Sequence, residues 1–469
     1  MPSQSPPAAG TPMPDHGLQR RLPGRAALWL LLALAVALAA KAGLPFAPGV
    51  NKALALTIFI GLLWLTEALP LAVTAVLVPV AALLIGVPGV VPLRLAAAFV
   101  DPVVLLFLGG FALAAALRVQ QLDLMLATAL LRLARGRFAV AALLLFAATA
   151  LLSMGISNTA TAALMLPLAQ GLLASAEGEP RPVGTRAFVL LGVAYAASLG
   201  GMGTLVGSPP NAIAARTAGL DFADWLAIGL PLVAVLMPLM VLVLWLVLRP
   251  QLDFRYEIAA ARLPWTRARL LALIVFALAA LGWVFGAAWL AQVGLKSPDT
   301  VVALAAAALL LLLRLLSPRQ LLMHTDWGVL LLFGGGLALG EVLGASGASL
   351  ALGRAVAAHL QQGQAWQVLA VVAVFMVLLS EFASNTAATA LLVPVFAAVA
   401  PELGVPRESL IVLVALSASC GFALPVATPP NAMAYGCRAF PQRLMLRAGL
   451  ALDAVCVLVL LAWALMTLP

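Results

Sequence analysis

Apolar runs near 20 residues recur from residue 26 to the end of the chain. That is the length a helix needs to cross a hydrocarbon core of about 30 Å. Uninterrupted runs cover 26–43, 52–69, 71–90, 102–118, 225–248, 268–292, 300–316, 328–345 and 447–468. An amphipathic stretch, 119–137, carries Arg132, Arg135 and Arg137 at its end. Four further runs are broken in the middle. In 139–176 the break is Met154-Gly155 and Ser157-Asn158-Thr159, and each arm is too short to cross, which predicts a re-entrant helical hairpin. The stretch 366–400 repeats the pattern around Ser384-Asn385-Thr386. The stretches 186–218 and 407–436 are broken by glycines and by Pro209-Pro210 or Pro425 and Pro429-Pro430, where proline removes a backbone donor and forces the helix open. The pattern predicts an all-α polytopic membrane protein with eleven crossing segments and two re-entrant hairpins.

Composition agrees. Of 469 residues, 64% are hydrophobic and 9% charged, and mean hydropathy is +1.13. A soluble domain has about 25% charged residues. The net charge of +9 does not mark a nucleic-acid binder, because the positive residues sit in short loops between spans. Arg181, Arg186, Arg249, Arg255, Arg262, Arg267, Arg269, Arg314, Arg319, His324, Arg438, Arg443 and Arg447 all fall on one side when the N-terminus is placed in the cytoplasm, with Lys52 and Arg94 as exceptions. In this topology the first hairpin enters from the cytoplasm and the second from outside, so the two repeats are inverted. The run after Arg20, Arg21 and Arg25 resembles a signal peptide, but the many spans that follow favour a disordered cytoplasmic tail over 1–25. Cys420, Cys437 and Cys456 lack metal-ligand spacing and read as buried or lipid-facing thiols. His16, His324 and His359 are scattered.

The broken runs carry a duplicated motif. SNTATAALMLP begins at Ser157 and SNTAATALLVP at Ser384; VGSPPNAIA follows the first and VATPPNAMA the second. Asn158 and Asn211 are 53 residues apart, Asn385 and Asn431 46. Phe107 with Gly109-Gly110 lies 50 residues before Ser157, and Phe333 with Gly334-Gly335-Gly336 lies 51 before Ser384. Three landmarks in the same order mark an internal duplication, and matched interruptions in two halves are the sequence pointer to a transporter's site.

Irregular backbone at membrane depth is tolerated only where it is buried in protein or lines a polar cavity. Its free carbonyls suit a small cation such as Na⁺, and half-helix N-termini attract anions. Asn offers both a carbonyl oxygen and an amide donor. Two such tips make two cation sites flanking one anion site, suited to a molecule with a carboxylate at each end. The plain alternative is that Ser, Asn and Thr are caps and Pro-Pro a helix break; its odds fall when each motif occurs twice. Among charged residues in apolar surroundings, Glu381 is placed to orient the second tip or bond backbone there, and Glu67 is either functional or a helix-end carboxylate. Asp101 and Asp326 read as helix caps, Asp123 as part of a polar helix face, and the glycine clusters as close-packing sites.

These residues resemble the divalent anion/sodium symporter (DASS) family, sodium-coupled dicarboxylate transporters of the INDY type. The resemblance rests on TEALPLAVTAVLVP (66–79), SMGISNTATAALMLP (153–167), GGMGTLVGSPPN (200–211), SEFASNTAATALLVP (380–394) and LPVATPPNAMAYG (424–436), and spans nearly the whole chain after residue 25. It implies eleven transmembrane helices, two opposed hairpins and a homodimer working as an elevator. The implied scaffold is 26–137 plus 250–360, and the moving domain 138–249 plus 361–469. It implies a first sodium site at Ser153, Ser157, Asn158 and Gly207 and a second at Ser380, Ala383, Asn385 and Ala427, partly through backbone carbonyls. The substrate carboxylates would meet Asn158, Thr159, Asn385 and Thr386, with Thr428 and Pro429 nearby. Ser208 and Ser380 stand where threonine is usual in the family, and both keep a hydroxyl.

The expectation is therefore a multi-pass cell (inner) membrane transporter, not an enzyme, coupling sodium to a C4-dicarboxylate such as succinate, malate or fumarate. A sodium-independent dicarboxylate, citrate or sulfate exchanger of the same fold is the nearest alternative. An arsenite or proton-coupled ion transporter would place a carboxylate at the site, for which Glu381 is the candidate. An intramembrane enzyme is disfavoured: there is no His-Glu-x-x-His, no paired aspartates within spans, no Gly-x-Ser-x-Gly and no P-loop.

Overall fold

The structure, a computed structural model, describes residues 23–174, 181–255, 263–292, 297–360 and 365–467. Most of the tail expected to be disordered, 1–22, lies outside them, as do His16 and Arg262. The described chain is helical throughout, with one isolated antiparallel bridge, between Arg137 and Arg255. Among the described residues nine helices are long and apolar enough to cross a membrane. Two of the expected crossings are shorter than their apolar runs: 71–90 yields Leu71–Leu84 and 300–316 yields Pro298–Leu312. The first ends before Gly86 and Gly89, both with positive φ, which turn the chain. In the second hairpin the returning helix continues through a 3-10 turn, so Asn385–Leu403 is itself of crossing length.

Both hairpins form. Phe138–Ser153 and Asn158–Leu173 are the arms of the first, and Ala365–Ser380 and Asn385–Val399 those of the second. Each is followed by a broken helix: Val183–Gly201 with Pro209–Ala218, and Arg407–Ala418 with Pro429–Gly436. The paired prolines do not sit in the breaks. They are the first residues of the second pieces, where a helix has no use for their missing N–H. A long helix closes each half, Phe222–Leu248 and Gln442–Met466. The halves pack by the same rules. Each returning hairpin arm lies against the first piece of its own broken helix and the second piece of the other half's, so the four interrupted elements interlock around a pseudo-two-fold centre.

Arginine-bearing loops around 120, 137, 181, 254, 269 and 315 meet at one end of the molecule. Phe138 N–H donates to Phe254 O, Arg269 donates to Gln120 O, and Gln120 Nε2 donates to Leu315 O. The Arg181 guanidinium lies 4.1 Å from the Phe254 ring centroid. At the opposite end of Pro102–Val119, Arg216 grips both oxygens of Asp101 at 2.9 and 3.0 Å. Phe222 N–H donates to Asp299 and its ring stacks on Trp283 at 4.8 Å. The two charge exceptions are held locally: Lys52 donates to Gly86 O, and Arg94 pairs with Glu341 at 3.3 Å. Asp101 and Asp326 cap helices as expected. Asp123 departs from expectation. It is buried, 5% exposed, where it accepts from Leu124 N–H, and burial pushes its carboxyl above the ordinary range. Glu67 is exposed and ends Pro48–Thr66 in a left-handed conformation, the helix-end reading.

The glycine clusters are close-approach points. A Cβ on Gly109 would lie 2.5 Å from the Ala303 backbone, one on Gly335 2.6 Å from Ala75 Cα, and one on Gly110 2.6 Å from Val206. Gly171, on the first returning arm, has nothing within 4 Å. Gly109→Ala should therefore cost about 1–3 kcal/mol by overpacking, whereas Gly171→Ala should be neutral or stabilising by up to about 1 kcal/mol. Melting of the two purified variants in detergent checks the contrast; equal effects would contradict it.

Candidate functional site

The two tips begin with the same local chemistry. Ser157 and Ser384 are the N-caps of the returning arms, accepting weakly from Ala160 N–H and Ala387 N–H, each at 3.4 Å. Their side chains thus do the work of caps. Asn158 and Asn385 are the first helical residues. Thr159 is exposed and Thr386 half-buried beside them.

Behind the first tip, oxygens converge. One end of the Asn158 amide points back into the protein, 2.7 Å from Ser153 Oγ, 3.1 Å from Ala197 O and 3.2 Å from Gly207 O. Ser153 is fully buried, and its hydroxyl also lies 2.6 Å from Ala197 O. The approach depends on glycine: a Cβ on Gly201 would fall 2.1 Å from the Asn158 amide, and one on Gly207 would fall 2.6 Å from Gly201 O. The structure thus brings together Ser153, Asn158 and Gly207, adds Ala197, and gives the Ser157 hydroxyl to the cap.

The second tip is related but not identical. Ser380 Oγ donates to Val377 O at 2.9 Å or Cys420 O at 3.0 Å. A Cβ on Gly421 would lie 2.9 Å from Ser380 Oγ and 3.3 Å from Ala427 Cβ, so Ser380 and Ala427 flank that glycine. Ala383 is buried beside the tip, its N–H bonded to Leu379 O. Asn385 Oδ1 is buried and meets no donor. Thr428 accepts from Asn431 N–H at 3.3 Å and caps Pro429–Gly436, whereas Ser208 makes no such cap on Pro209–Ala218. The threonine and serine at this matched position therefore differ in use.

The asparagines of the Pro-Pro-Asn motifs have a role the spacing did not show. Asn211 Nδ2 donates to Gly201 O at 2.8 Å and Thr204 O at 2.7 Å; Asn431 Nδ2 donates to Gly421 O at 3.0 Å and Leu424 O at 3.1 Å. Both residues are fully buried, and each ties the start of its break to the break's interior in the same register. In the first break Thr204 also donates to Met154 O, which joins it to the hairpin tip, and Trp225 donates to Met202 O.

The second break is held by carboxylates. Glu381 accepts from Ala423 N–H and Leu424 N–H, both at 2.8 Å, and Asp453 accepts from Phe422 N–H at 3.2 Å. Tyr195 donates to Phe422 O at 2.7 Å from the first broken helix. Glu381 and Asp453 are 4% and 6% exposed and hold adjacent N–H groups of one segment, Phe422 to Leu424. Glu381 thus has the orienting role read for it. Asp453 was not legible, because it stands in the middle of the last apolar span, far along the chain, and only the fold makes it half of an acid pair.

What the first tip can hold follows from its donor set. Serine, two backbone carbonyls and the oxygen end of the asparagine amide are oxygen ligands, the type that unwound backbone supplies to Na⁺. The residues present fit that ion. Among the described residues no group of His, Cys, Asp and Glu is arranged to hold a metal.

Glu381→Ala should leave the buried Ala423 N–H and the part-buried Leu424 N–H without acceptors, at about 1–3 kcal/mol each. Glu381→Gln, which retains one acceptor oxygen, should lose less. Thermal melts of both variants against the unaltered protein test this ordering, and an Ala variant as stable as the parent would contradict the assigned role.

Comparison with known proteins places the architecture. The citrate transporter (CitMHS) family matches residues 62–407 and 354–468. An uncharacterized transporter of Haemophilus influenzae is 44% identical over 89% of this chain and 92% of its own length. One of Methanocaldococcus jannaschii is 35% identical over 90% of this chain and 95% of its own. The sodium-dependent dicarboxylate transporter SdcS of Staphylococcus saprophyticus is 29% identical over 82% and 79%. The solved YdaH transporter of Alcanivorax borkumensis superposes with a TM-score of 0.55 at 16% identity, over 79% of this chain and 86% of that one, and shows the fold alone. These relatives bear out the family resemblance read from the motifs. The chain is a multi-pass membrane transport protein, not an enzyme, and belongs to the citrate transporter family.

Proposed function

We propose that this protein couples entry of sodium to uptake of a C4-dicarboxylate of the succinate, malate or fumarate class. The observation that carries the reading is the first tip: an asparagine amide end facing Ser153 Oγ, Ala197 O and Gly207 O within 3.2 Å. The second tip supports it with Asn385 Oδ1, buried and without a donor. Sodium is cargo here, and it supplies the positive charge that lets a dianion approach the carbonyl-rich tips. The first sodium would be held by Ser153, Asn158 and Gly207, with the Ser157 backbone adjacent, and the second by Ser380, Ala383, Asn385 and Ala427. The substrate's two carboxylates would be met by Asn158 and Thr159 on one side and Asn385 and Thr386 on the other, near Thr428 and Pro429. Thr159 and Thr386 retain solvent access, as ligand-facing residues need.

In the same reading, 138–249 with 361–469 moves as one body against 26–137 with 250–360, in a homodimer. Interlocking of the two hairpins with both broken helices supports a single moving unit. The sodium-dependent dicarboxylate transporters among the relatives support the cation and substrate class. A tricarboxylate is the second reading, favoured by the description of the matching family.

Ligands that bind only the folded state raise its apparent stability. A thermal-shift screen of dicarboxylates, citrate and sulfate, run in sodium and in choline, should show sodium stabilising the protein alone and a C4-dicarboxylate adding to it only in sodium. Citrate outperforming succinate would move the substrate assignment to the tricarboxylate. Replacing Asn158 or Asn385 should abolish uptake in proteoliposomes while the protein still folds.

A further inference from the structure

We propose that the arginine-bearing end of the first half binds an anionic phospholipid, its phosphate among Arg137, Arg181 and Arg255 and one acyl chain in the groove beside them. This site stands at the far end of Phe138–Ser153 from the first tip, and it needs neither the coupling ion nor the substrate assigned above.

Three segments far apart in the chain meet there. Phe138 N–H donates to Phe254 O, and Arg137 and Arg255 form an isolated antiparallel bridge. Residues directly opposite in such a bridge carry their side chains on one face, where like charges repel. Both arginines are exposed. The Arg181 guanidinium joins them from the third segment, 4.1 Å from the Phe254 ring centroid and 5.9 Å from that of Phe138. The two rings meet edge to face at 5.8 Å, so the three arginines stand about one aromatic pair. No carboxylate among the described residues pairs with any of them. Asp253, two residues before Arg255, is exposed and joins none of the three. Arg181 and Arg186 also bury their Nε–H groups without an acceptor among the described residues, and a buried donor left unmet is costly. Phe138–Ser153 and Val183–Gly201 both begin here without a side-chain cap, which adds the positive end of each helix dipole. A loop arginine that only orients the chain in the membrane needs no such company. Three that converge with their repulsion unrelieved point to an anion that accepts from more than one guanidinium, as a phosphate does.

An apolar groove beside the arginines selects a lipid phosphate over a free one. A cavity of about 290 Å³ lies between Phe138–Ser153, Val183–Gly201 and Phe222–Leu248, with Ala139, Leu143, Phe188, Pro238, Trp245 and Leu252 among its walls. No wall residue is charged. Ala139 and Leu252 bring it next to Phe138 and Phe254, and hence to the arginines. From there it runs along Phe222–Leu248 past Trp245 to Pro238, a stretch of about 10 Å at the rise of a helix. Leu143 and Trp245 are exposed, so the groove opens sideways, where acyl chains lie. A tryptophan near the headgroups is in its usual place, and the loop arginines put this end on the cytoplasmic side. Basic pockets between membrane helices on that side hold anionic headgroups. Inorganic phosphate leaves the groove empty, and a zwitterionic headgroup brings a cation of its own against the arginines. A phospholipid of net negative charge fits both parts.

The test uses the full-length protein in neutral detergent micelles carrying phosphatidylglycerol or phosphatidylcholine with the same acyl chains. Melting and native mass spectrometry read stability and bound lipid. Phosphatidylglycerol should raise the melting temperature and stay bound, while phosphatidylcholine, or inorganic phosphate at the same concentration, should do neither. Equal stabilisation by both lipids, or by phosphate alone, would overturn the proposal. Arg137→Gln with Arg255→Gln removes the opposed charges and should weaken phosphatidylglycerol binding at least about tenfold. In phosphatidylcholine the same variant should melt at or above the parent, because the repulsion is gone. A variant equally destabilised in both lipids would make the two arginines structural and contradict the assignment. Arg443→Gln with Arg447→Gln removes the same charge from exposed positions early in Gln442–Met466, on the expected cytoplasmic side, and should keep the parent's response. Equal loss in the two double variants would reduce the effect to general attraction of an anionic surface, and the site would fall.

Discussion

The fold answers one constraint: every backbone N–H and C=O freed inside an apolar protein must find a partner there. Four helices stop midway in this chain, and each stop frees such groups. The partners are few and specific. Asn211 and Asn431 close the carbonyls of the two breaks, Thr204 and Trp225 take those of Met154 and Met202, and Glu381 with Asp453 takes three successive N–H groups of the second break. What is left over is the rear of the first tip, where the Asn158 amide, Ser153 Oγ and the carbonyls of Ala197 and Gly207 crowd together.

The pseudo-two-fold relation organises the site without making its halves equal. Packing of hairpin arms and broken helices repeats closely, and the Pro-Pro-Asn asparagines bond in identical register. The breaks themselves differ. The first coils in turns and uses its own carbonyls, as in Gly203 N–H to Gly200 O. The second is more extended and depends on buried carboxylates and on Tyr195 from the other half. Glu381 occupies the position matching Met154, so the asymmetry is built into the tips. A carboxylate with both oxygens committed to backbone is a poor direct ligand for a transported ion, which weighs against the proton- or arsenite-type alternative.

Much of this was legible in the residues, for physical reasons. Apolar runs of crossing length, prolines and the doubled Ser-Asn-Thr are local signals, and they located all four interruptions. The glycine clusters announced close approach, and Gly109, Gly110 and Gly335 meet neighbouring elements where any Cβ would collide. What escaped depended on contacts between distant segments. Asp453 sits alone in an apolar span until the fold sets it against Glu381. Asp123 looked like a surface charge because its helix is amphipathic, yet it is buried in the first turn. The paired prolines were read as the breaks, whereas they start the helices after them. Ala197 contributes only a carbonyl, which no side-chain pattern can announce.

In the proposed coupling, sodium bound at the oxygen-rich tip drives the dianion. The most direct measurement is paired flux in proteoliposomes: labelled sodium and labelled succinate followed together under an inward sodium gradient with no substrate inside. Succinate should accumulate above its external concentration, with sodium entering alongside it, and both fluxes should be lost in Asn158→Ala. Uptake that ignores the sodium gradient and requires a counter-substrate inside the vesicle would contradict it.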